Sequence, residues 1–135
     1  MATTATVTLS SDIFSGFSGY SKTMTMYKDG SLVDIDSSTG FSKRKLASTT
    51  KVDLITMANE LVEPLDNTGA KVYIKHTGNG KGVFDKSVGV TVLINSVEIG
   101  VLYGGDWLLM PVAVVDAEDI EVKPGSDATV VLEYV

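Results

Sequence analysis

The chain has 135 residues, no cysteine and a formal net charge of −6 at pH 7. This length fits one domain with an adequate core, and the lack of cysteine excludes disulfides and thiolate metal sites. The negative charge repels phosphate backbones, so we expect no direct contact with nucleic acid. The opening MATTATVTLSSD lacks the features of a signal peptide, and the apolar run 107–115 is too short to span a membrane. We therefore expect an intracellular protein that does not bind membranes.

Apolar and polar side chains alternate along most of the chain, and this pattern predicts an all-β fold. The predicted strands lie at 4–10, 23–27, 33–36, 72–77, 88–94, 97–101, 120–122 and 130–134. Glycine, asparagine and aspartate mark the reversals between them, at 28–30, 77–82, 95–96, 103–106 and 123–127. We predict that Val72, Ile74 and His76 share one strand face, and that Val97, Ile99 and Val101 share another.

One segment is ambiguous. Within 53–62 the apolar residues fall at helical spacing, whereas 51–55 has the composition of a strand. We allow one short helix there and predict a single β-sandwich of jelly-roll type over residues 21–135. Residues 1–20 form an N-terminal arm or extension to it.

The N-terminal arm places Phe14, Phe17 and Tyr20 between small residues. Such a segment cannot bury its aromatic rings alone, so it must lie on its own domain or on a partner. We favour its own domain and keep the partner as an alternative.

Residues for catalysis or metal binding are sparse. His76 is the only histidine, which excludes a His-pair zinc site and a Ser-His-Asp triad, and its phase predicts a position at the margin of the core. Residues 34–40 lack the glycine and glutamate of an EF-hand, and 78–82 lack the spacing of a phosphate loop. The basic run 43–45 has the pattern of a solvated loop. We predict no catalytic residue, no cofactor and no metal.

Acidic residues are common in the C-terminal half, where a pair of glycosidase carboxylates could lie among Asp106, Asp116, Glu118, Asp119 and Glu121. Their alternation with Ile120 and Val122 favours the solvated face of a strand. Trp107 lies just after the glycine pair 104–105 and before an apolar run, which favours a position in the core. The alternative is an interface anchor together with Tyr103, since tryptophan and tyrosine are enriched at binding surfaces.

Several short motifs resemble small structural proteins of tailed bacteriophage virions, particularly marine ones. They are AKVYIKHTGNGKG at 70–82, EIGVLYGGDWLLMPV at 98–112 and DIEVKPGSDATVVLEYV at 119–135, with TATVTLSSDI and SKTMTMYKDG near the start. The resemblance implies a β-sandwich that decorates or cements a capsid, or sits in a tail or head appendage. It supplies no catalytic residue. It also implies a location in the virion, assembled in the host cytoplasm, with the major capsid protein or other virion proteins as partners.

We therefore predict a virion structural protein in many copies, or a homo-oligomer, with candidate interface residues Phe14, Phe17, Tyr20, Tyr103 and Trp107. Its contacts are assigned to the N-terminal segment and the glycine-rich turns. One rival is a carbohydrate-binding module that presents Tyr73, Tyr103 and Trp107. The other is a hydrolase that uses two of the acids.

Overall fold

The computed structural model describes residues 3–10, 13, 19–27, 32–33, 35, 40–56, 70–79, 87–112 and 119–135. These residues form ten strands and no helix, so the all-β prediction is confirmed. The strands are β1 (Thr4–Leu9), β2 (Tyr20–Thr25), β3 (Ser42–Leu46), β4 (Val52–Thr56), β5 (Ala70–Asn79), β6 (Val90–Ile94), β7 (Val97–Leu102), β8 (Trp107–Val112), β9 (Asp119–Pro124) and β10 (Val130–Tyr134). Within this part of the chain there is no helix that could cross a membrane.

The chain divides into two compact units, residues 1–37 and 38–135. The first unit contains an antiparallel hairpin in which β2 pairs with β1 along its whole length, from Thr4–Thr25 to Leu9–Tyr20. Because β2 pairs with β1, residues 20–25 belong to this first unit.

The second unit is a sandwich of two four-stranded antiparallel sheets, as predicted. Sheet I has the order β3-β10-β5-β8, and sheet II has the order β4-β9-β6-β7. The pairing is nested: β3 pairs with β10, β4 with β9, β5 with β8 and β6 with β7. The first four strands of the sandwich thus pair with the last four in reverse order, as in one long hairpin. Two of these pairs lie in sheet I and two in sheet II.

The core lies between the two sheets, because each strand turns one apolar face inward. The predicted inward residues of four strands are buried. They are Val72 and Ile74, Val90 and Val92, Ile120 and Val122, and Val130 and Leu132. Burial of a valine, leucine or isoleucine side chain stabilises the fold by about 1.5–3 kcal/mol relative to exposure. The core cluster comprises Leu46, Leu54, Ile55, Val72, Ile74, Val88, Val90, Val92, Leu102, Val112, Ile120, Val122, Val130 and Leu132.

Two predicted boundaries and one predicted face differ from the structure. The reversal predicted at 77–82 starts later, since β5 runs to Asn79, and residues 80–82 lie outside the described part of the chain. The segment 52–56 is strand β4, while the remainder of the ambiguous segment, 57–62, is not described. Val97, Ile99 and Val101 do not share one face, because an irregularity in the β6–β7 register changes the side to which residues point.

Candidate functional site

The hairpin of the first unit has two chemically different faces. Alternation in an antiparallel pair puts cross-strand partners on the same face. One face carries only hydroxyl side chains from residues 4, 6, 8, 21, 23 and 25, with Thr6 bonded to Thr23 (Oγ1–Oγ1 2.7 Å) and Thr8 to Ser21 (Oγ1–Oγ 3.1 Å). The opposite face, which we call the apolar hairpin face, consists of Ala5, Val7, Leu9, Tyr20 and Met24, together with Lys22.

The apolar hairpin face has no core of its own. Among the described residues of the first unit none is buried, and the side chain of Leu9 is 55% exposed. Tyr20 and Met24 are exposed as well. A two-stranded hairpin is at best marginally stable when it has nothing to pack against. The described residues of the first unit therefore do not cover the apolar hairpin face.

Of the predicted interface residues in this segment, Tyr20 lies on the apolar hairpin face opposite Leu9. Phe14 and Phe17 lie outside the described residues. Leu9 and Met24 were missed as candidates, although the alternation of threonine with Ala5, Val7 and Leu9 was visible in the sequence.

The outer face of sheet I is basic and aromatic. Lys43 and Lys45 on β3 alternate with buried or half-buried neighbours, and Lys71 and Lys75 on β5 alternate with Val72, Ile74 and His76, so all four lysines point outward. Among the described residues, the acid on this face is Glu133 of β10, which forms an ion pair with Lys43 (Nζ–Oε1 3.0 Å). Residues 43–45 thus lie in a strand, and the loop that we predicted for them is wrong.

Trp107 is on the same outer face, and its predicted core position is wrong. It lies opposite Lys75 and is 51% exposed, whereas Leu108, Met110 and Val112 take the inward positions of β8. Tyr73 lies opposite Leu109, and the ring of Phe41 meets that of Tyr73 nearly edge-on, with centroids 6.0 Å apart and planes at 70°. The outer face of sheet I therefore offers exposed apolar surface beside positive charge.

Tyr103, the last predicted interface residue, lies on the other side of the sandwich. Its ring packs over Gly89, where an added Cβ would come within 3.0 Å of Cε1 of Tyr103. A shallow depression of about 350 Å³ beside the ring is lined by hydroxyl, glycine and valine residues. Tyr103 is exposed, but it is not on the face of Tyr73 and Trp107. The three rings proposed for a carbohydrate platform are thus divided between two faces.

His76 is fully buried rather than at the margin of the core. Its Nδ1 accepts the Gly78 N–H at 3.0 Å, so Nε2 carries the hydrogen and donates to the carbonyl of Val88 at 3.0 Å. The backbone of His76 also pairs with the 103–106 turn, through Asp106 O (2.9 Å) and Gly105 N (2.8 Å). These contacts give His76 a structural role that joins β5 to two loops.

Three of the candidate hydrolytic acids are described, and two of them, Asp119 and Glu121, lie two residues apart on β9. Asp106 closes its own turn, since its Oδ2 accepts the Tyr103 N–H at 2.9 Å. Glu121 is ion-paired with Lys51 and accepts the Ser96 N–H at 2.6 Å. Asp116 and Glu118 lie outside the described residues. No group of three potential metal ligands occurs in the described ranges.

Comparison with known proteins adds no relative: no family model, curated protein or solved structure matches the chain.

Proposed function

We propose that the chain is a structural protein of a phage virion, which binds a capsid or tail lattice in many copies to decorate or stabilise it. The proposal is carried by the apolar hairpin face, whose residues Leu9, Tyr20 and Met24 are exposed on a hairpin without a core of its own. A surface of this kind is completed when it packs on a partner. The sequence motifs supply the kind of partner, namely the major capsid protein or another virion protein.

The sandwich supports this role through its strand order. Numbered within the sandwich, the nested pairs join the first strand to the eighth, the second to the seventh, the third to the sixth and the fourth to the fifth. We assign this arrangement to the jelly roll, an eight-stranded fold that viral capsid and lectin domains use. Because fold alone does not determine function, the assignment supports the class and the hairpin supports the contact.

The test uses particles purified from a phage in which the gene for this chain has been deleted, mixed with purified protein and sedimented. We expect wild-type protein to bind at a fixed copy number per particle. Leu9→Lys places a charge on the apolar hairpin face and should weaken binding at least about tenfold, because an unpaired charge is costly to bury in an interface.

The matched control is Thr8→Lys, which adds the same charge at the neighbouring position on the hydroxyl face. It should bind like the wild type. Absence of the protein from wild-type particles, together with no binding to the deletion particles, would contradict the virion role. Equal binding by Leu9→Lys and Thr8→Lys would retain that role and exclude the hairpin as the contact.

A further inference from the structure

Each of the four edge strands of the sandwich carries a feature that opposes pairing with a strand of another molecule. Charged side chains, proline and bulges serve this purpose, because an exposed sheet edge presents unpaired N–H and C=O groups. Strand β3 has three consecutive charges at 43–45, and β8 contains Pro111. Strand β7 carries Glu98 and has an irregular register with β6. Strand β4 is irregular too, and its Asp53 carbonyl accepts a hydrogen bond from Arg44 Nη1 at 2.5 Å.

Strand β1 of the hairpin has none of these features. The segment 3–10 contains no charge, no proline and no glycine, and its register with β2 runs from Thr4 to Leu9 without a shift. Four of its eight residues are threonine and one is valine, and these β-branched side chains favour extended strands. The other strand of the hairpin, β2, carries Lys22. Within the described part of the chain, β1 is thus the one sheet edge without such a feature.

The outer edge of β1 presents the backbone of its even-numbered residues. Met26 N–H donates to the carbonyl of Thr3 at 2.8 Å, so the backbone of Thr3 faces β2. The direction of hydrogen bonding alternates along an antiparallel strand. The other odd-numbered residues of β1 therefore face β2 as well, and the N–H and C=O groups of Thr4, Thr6 and Thr8 face away. No strand of the described ranges lies on that side of β1.

We propose that two copies of this chain pair along the outer edges of their β1 strands, antiparallel and about a two-fold axis at Val7. This register sets Val7 opposite the partner's Val7, Thr6 opposite the partner's Thr8 and Ala5 opposite the partner's Leu9. Hydroxyl side chains then meet on one face and apolar side chains on the other, and no charges are opposed. A shift of one residue would set threonine against valine and reverse the faces of one copy. The strand is therefore complementary to itself.

The pairing supplies what the hairpin lacks. It produces a four-stranded sheet in the order β2-β1-β1-β2, and three or more strands with an apolar face are what an independently stable sheet needs. The apolar hairpin faces of the two copies become one continuous surface of twice the area. The contact is isologous and uses both β1 edges, and the edges that remain are β2 strands with Lys22. The assembly therefore closes at two copies.

The contact is small and contains no ion pair. One strand from each copy buries less than the ~800 Å² per partner of a stable interface, so the dimer is expected at high protein concentration. Because β1 is uncharged, salt should not dissociate the dimer, and screening of the net charge of −6 should favour it. The contact belongs to the isolated protein and does not rest on the virion role.

Cross-linking at the two-fold axis tests the register. The chain has no cysteine, so each variant below carries a single thiol. Val7 lies in a non-hydrogen-bonded pair of the proposed ladder, with Cα atoms about 4.5 Å apart, and a disulfide spans about 4.4–6.8 Å. Val7→Cys should therefore form a disulfide dimer in a glutathione redox buffer. Ala5→Cys should cross-link with Leu9→Cys in preference to itself.

The matched control is Lys22→Cys, on the same face of the hairpin and opposite Val7. In the proposed sheet the two copies of residue 22 are three strand spacings apart, about 14 Å, which is too far for a disulfide. Residue 22 is exposed, whereas Val7 is half-buried, so disulfides formed by random collision would favour Lys22→Cys. We expect the opposite preference, and we expect urea to abolish it.

Sedimentation velocity of the full chain tests the backbone contact without a cross-link. Thr6→Pro removes an N–H that the hairpin does not use but the dimer does, and by symmetry it removes two hydrogen bonds. It should weaken dimerisation at least about tenfold. Thr6→Ala removes the same hydroxyl group and keeps the N–H, so it should dimerise like the wild type. Wild-type dimer should be present at about 1 mM protein in both 0.15 M and 1 M NaCl.

A wild-type chain that stays monomeric at this concentration would overturn the proposal. So would cross-linking of Val7→Cys no faster than that of Lys22→Cys, or equal dimerisation of Thr6→Pro and Thr6→Ala. A dimer that survives Thr6→Pro but is lost in Leu9→Lys would be held by the apolar hairpin faces, which also contradicts pairing at the edge. Leu9→Lys and Thr8→Lys keep the N–H groups of the edge and should still dimerise, so the particle-binding test stays independent of this one.

Discussion

The carboxylate of Glu121 sits on the outer face of sheet II with only 6% of the residue exposed. Lys51 donates to one oxygen, the Ser96 N–H donates to the other at 2.6 Å, and Lys51 also bonds Ser96 Oγ at 2.8 Å. The hydrogen bond from Lys51 holds the pKa of Glu121 below its ordinary value; burial opposes this effect, and the Ser96 N–H adds to it. The three residues form a closed network between β4, β9 and the 95–96 turn.

This network predicts how stability depends on pH. The unfolded carboxylate binds a proton more readily than the folded one, so the contribution of Glu121 is complete above the unfolded pKa of about 4.3. It is lost as the pH falls through the lower folded pKa. Lys51→Met should lower the free energy of unfolding at pH 7 by about 1–2 kcal/mol and flatten its decline between about pH 5 and pH 3.

Urea denaturation across this pH range measures both effects, with Lys123→Met as the control, because Lys123 is exposed on the same strand. An unchanged slope in Lys51→Met would assign the acid sensitivity to other carboxylates.

At the scale of single residues, the sequence shows which residues of a strand share a face more reliably than it shows which face points into the core. The inward position of His76 follows from its spacing to Val72 and Ile74, and the structure confirms that shared face. Trp107 could not be placed in this way, because 107–112 is apolar at every position and so shows no alternation. Only the packing of sheet II against sheet I selects Leu108, Met110 and Val112 as the inward set.

At the scale of elements, the geometry of the β6–β7 turn depends on its two central residues, Asn95 and Ser96. Asn95 and Ser96 have φ values of 48° and 65°, the left-handed pair of a type I′ turn. Asn95 Oδ1 also accepts the Asp119 N–H at 3.1 Å, which ties the turn to β9. Asparagine suits the first position for both reasons, since it tolerates the left-handed region and supplies the acceptor.

Replacing Asn95 separates these two contributions. Asn95→Ala should destabilise the protein by about 1–3 kcal/mol, because it adds left-handed strain and removes the acceptor. Asn95→Gly removes only the acceptor and should cost less. Denaturation midpoints at constant m-value measure both changes. Equal losses in the two variants would attribute the whole effect to the bond with Asp119.

Most strands of the sandwich were predictable as elements, because alternation follows directly from burial of one face. Their nested order was not, since it depends on pairings such as β3 with β10 that span most of the chain. The face of β7 was missed because the register irregularity opposite Val92 and Leu93 leaves no mark in a run such as VEIGVL. The alternation of threonine with Ala5, Val7 and Leu9 separates the two faces of β1 in the sequence, but the pairing of β1 with β2 in a hairpin required the register of Thr4 with Thr25.

For the molecule as a whole, the net charge of −6 conceals an uneven distribution of charge between the sheets. The sum predicts repulsion of polyanions, but it cannot show that the strands of sheet I contain four lysines and one arginine against one acid, whereas those of sheet II contain four acids against one lysine. That distribution follows from which strands share a sheet. The strands of each sheet come from distant parts of the chain, so local sequence patterns do not reveal it.

The division into two compact units leads to a prediction about the folding of the whole molecule. All residues described as buried lie within 38–135, so this segment alone should fold with a single cooperative transition, measured by urea denaturation and circular dichroism. A chain without residues 1–20 should be less soluble, because the deletion removes β1 and Tyr20 and leaves residues 21–25 of β2, including Met24, with no paired strand. An exposed, unpaired apolar strand promotes aggregation. If residues 38–135 instead failed to fold, the hairpin would have to supply part of the core, and the apolar hairpin face could not be reserved for a partner.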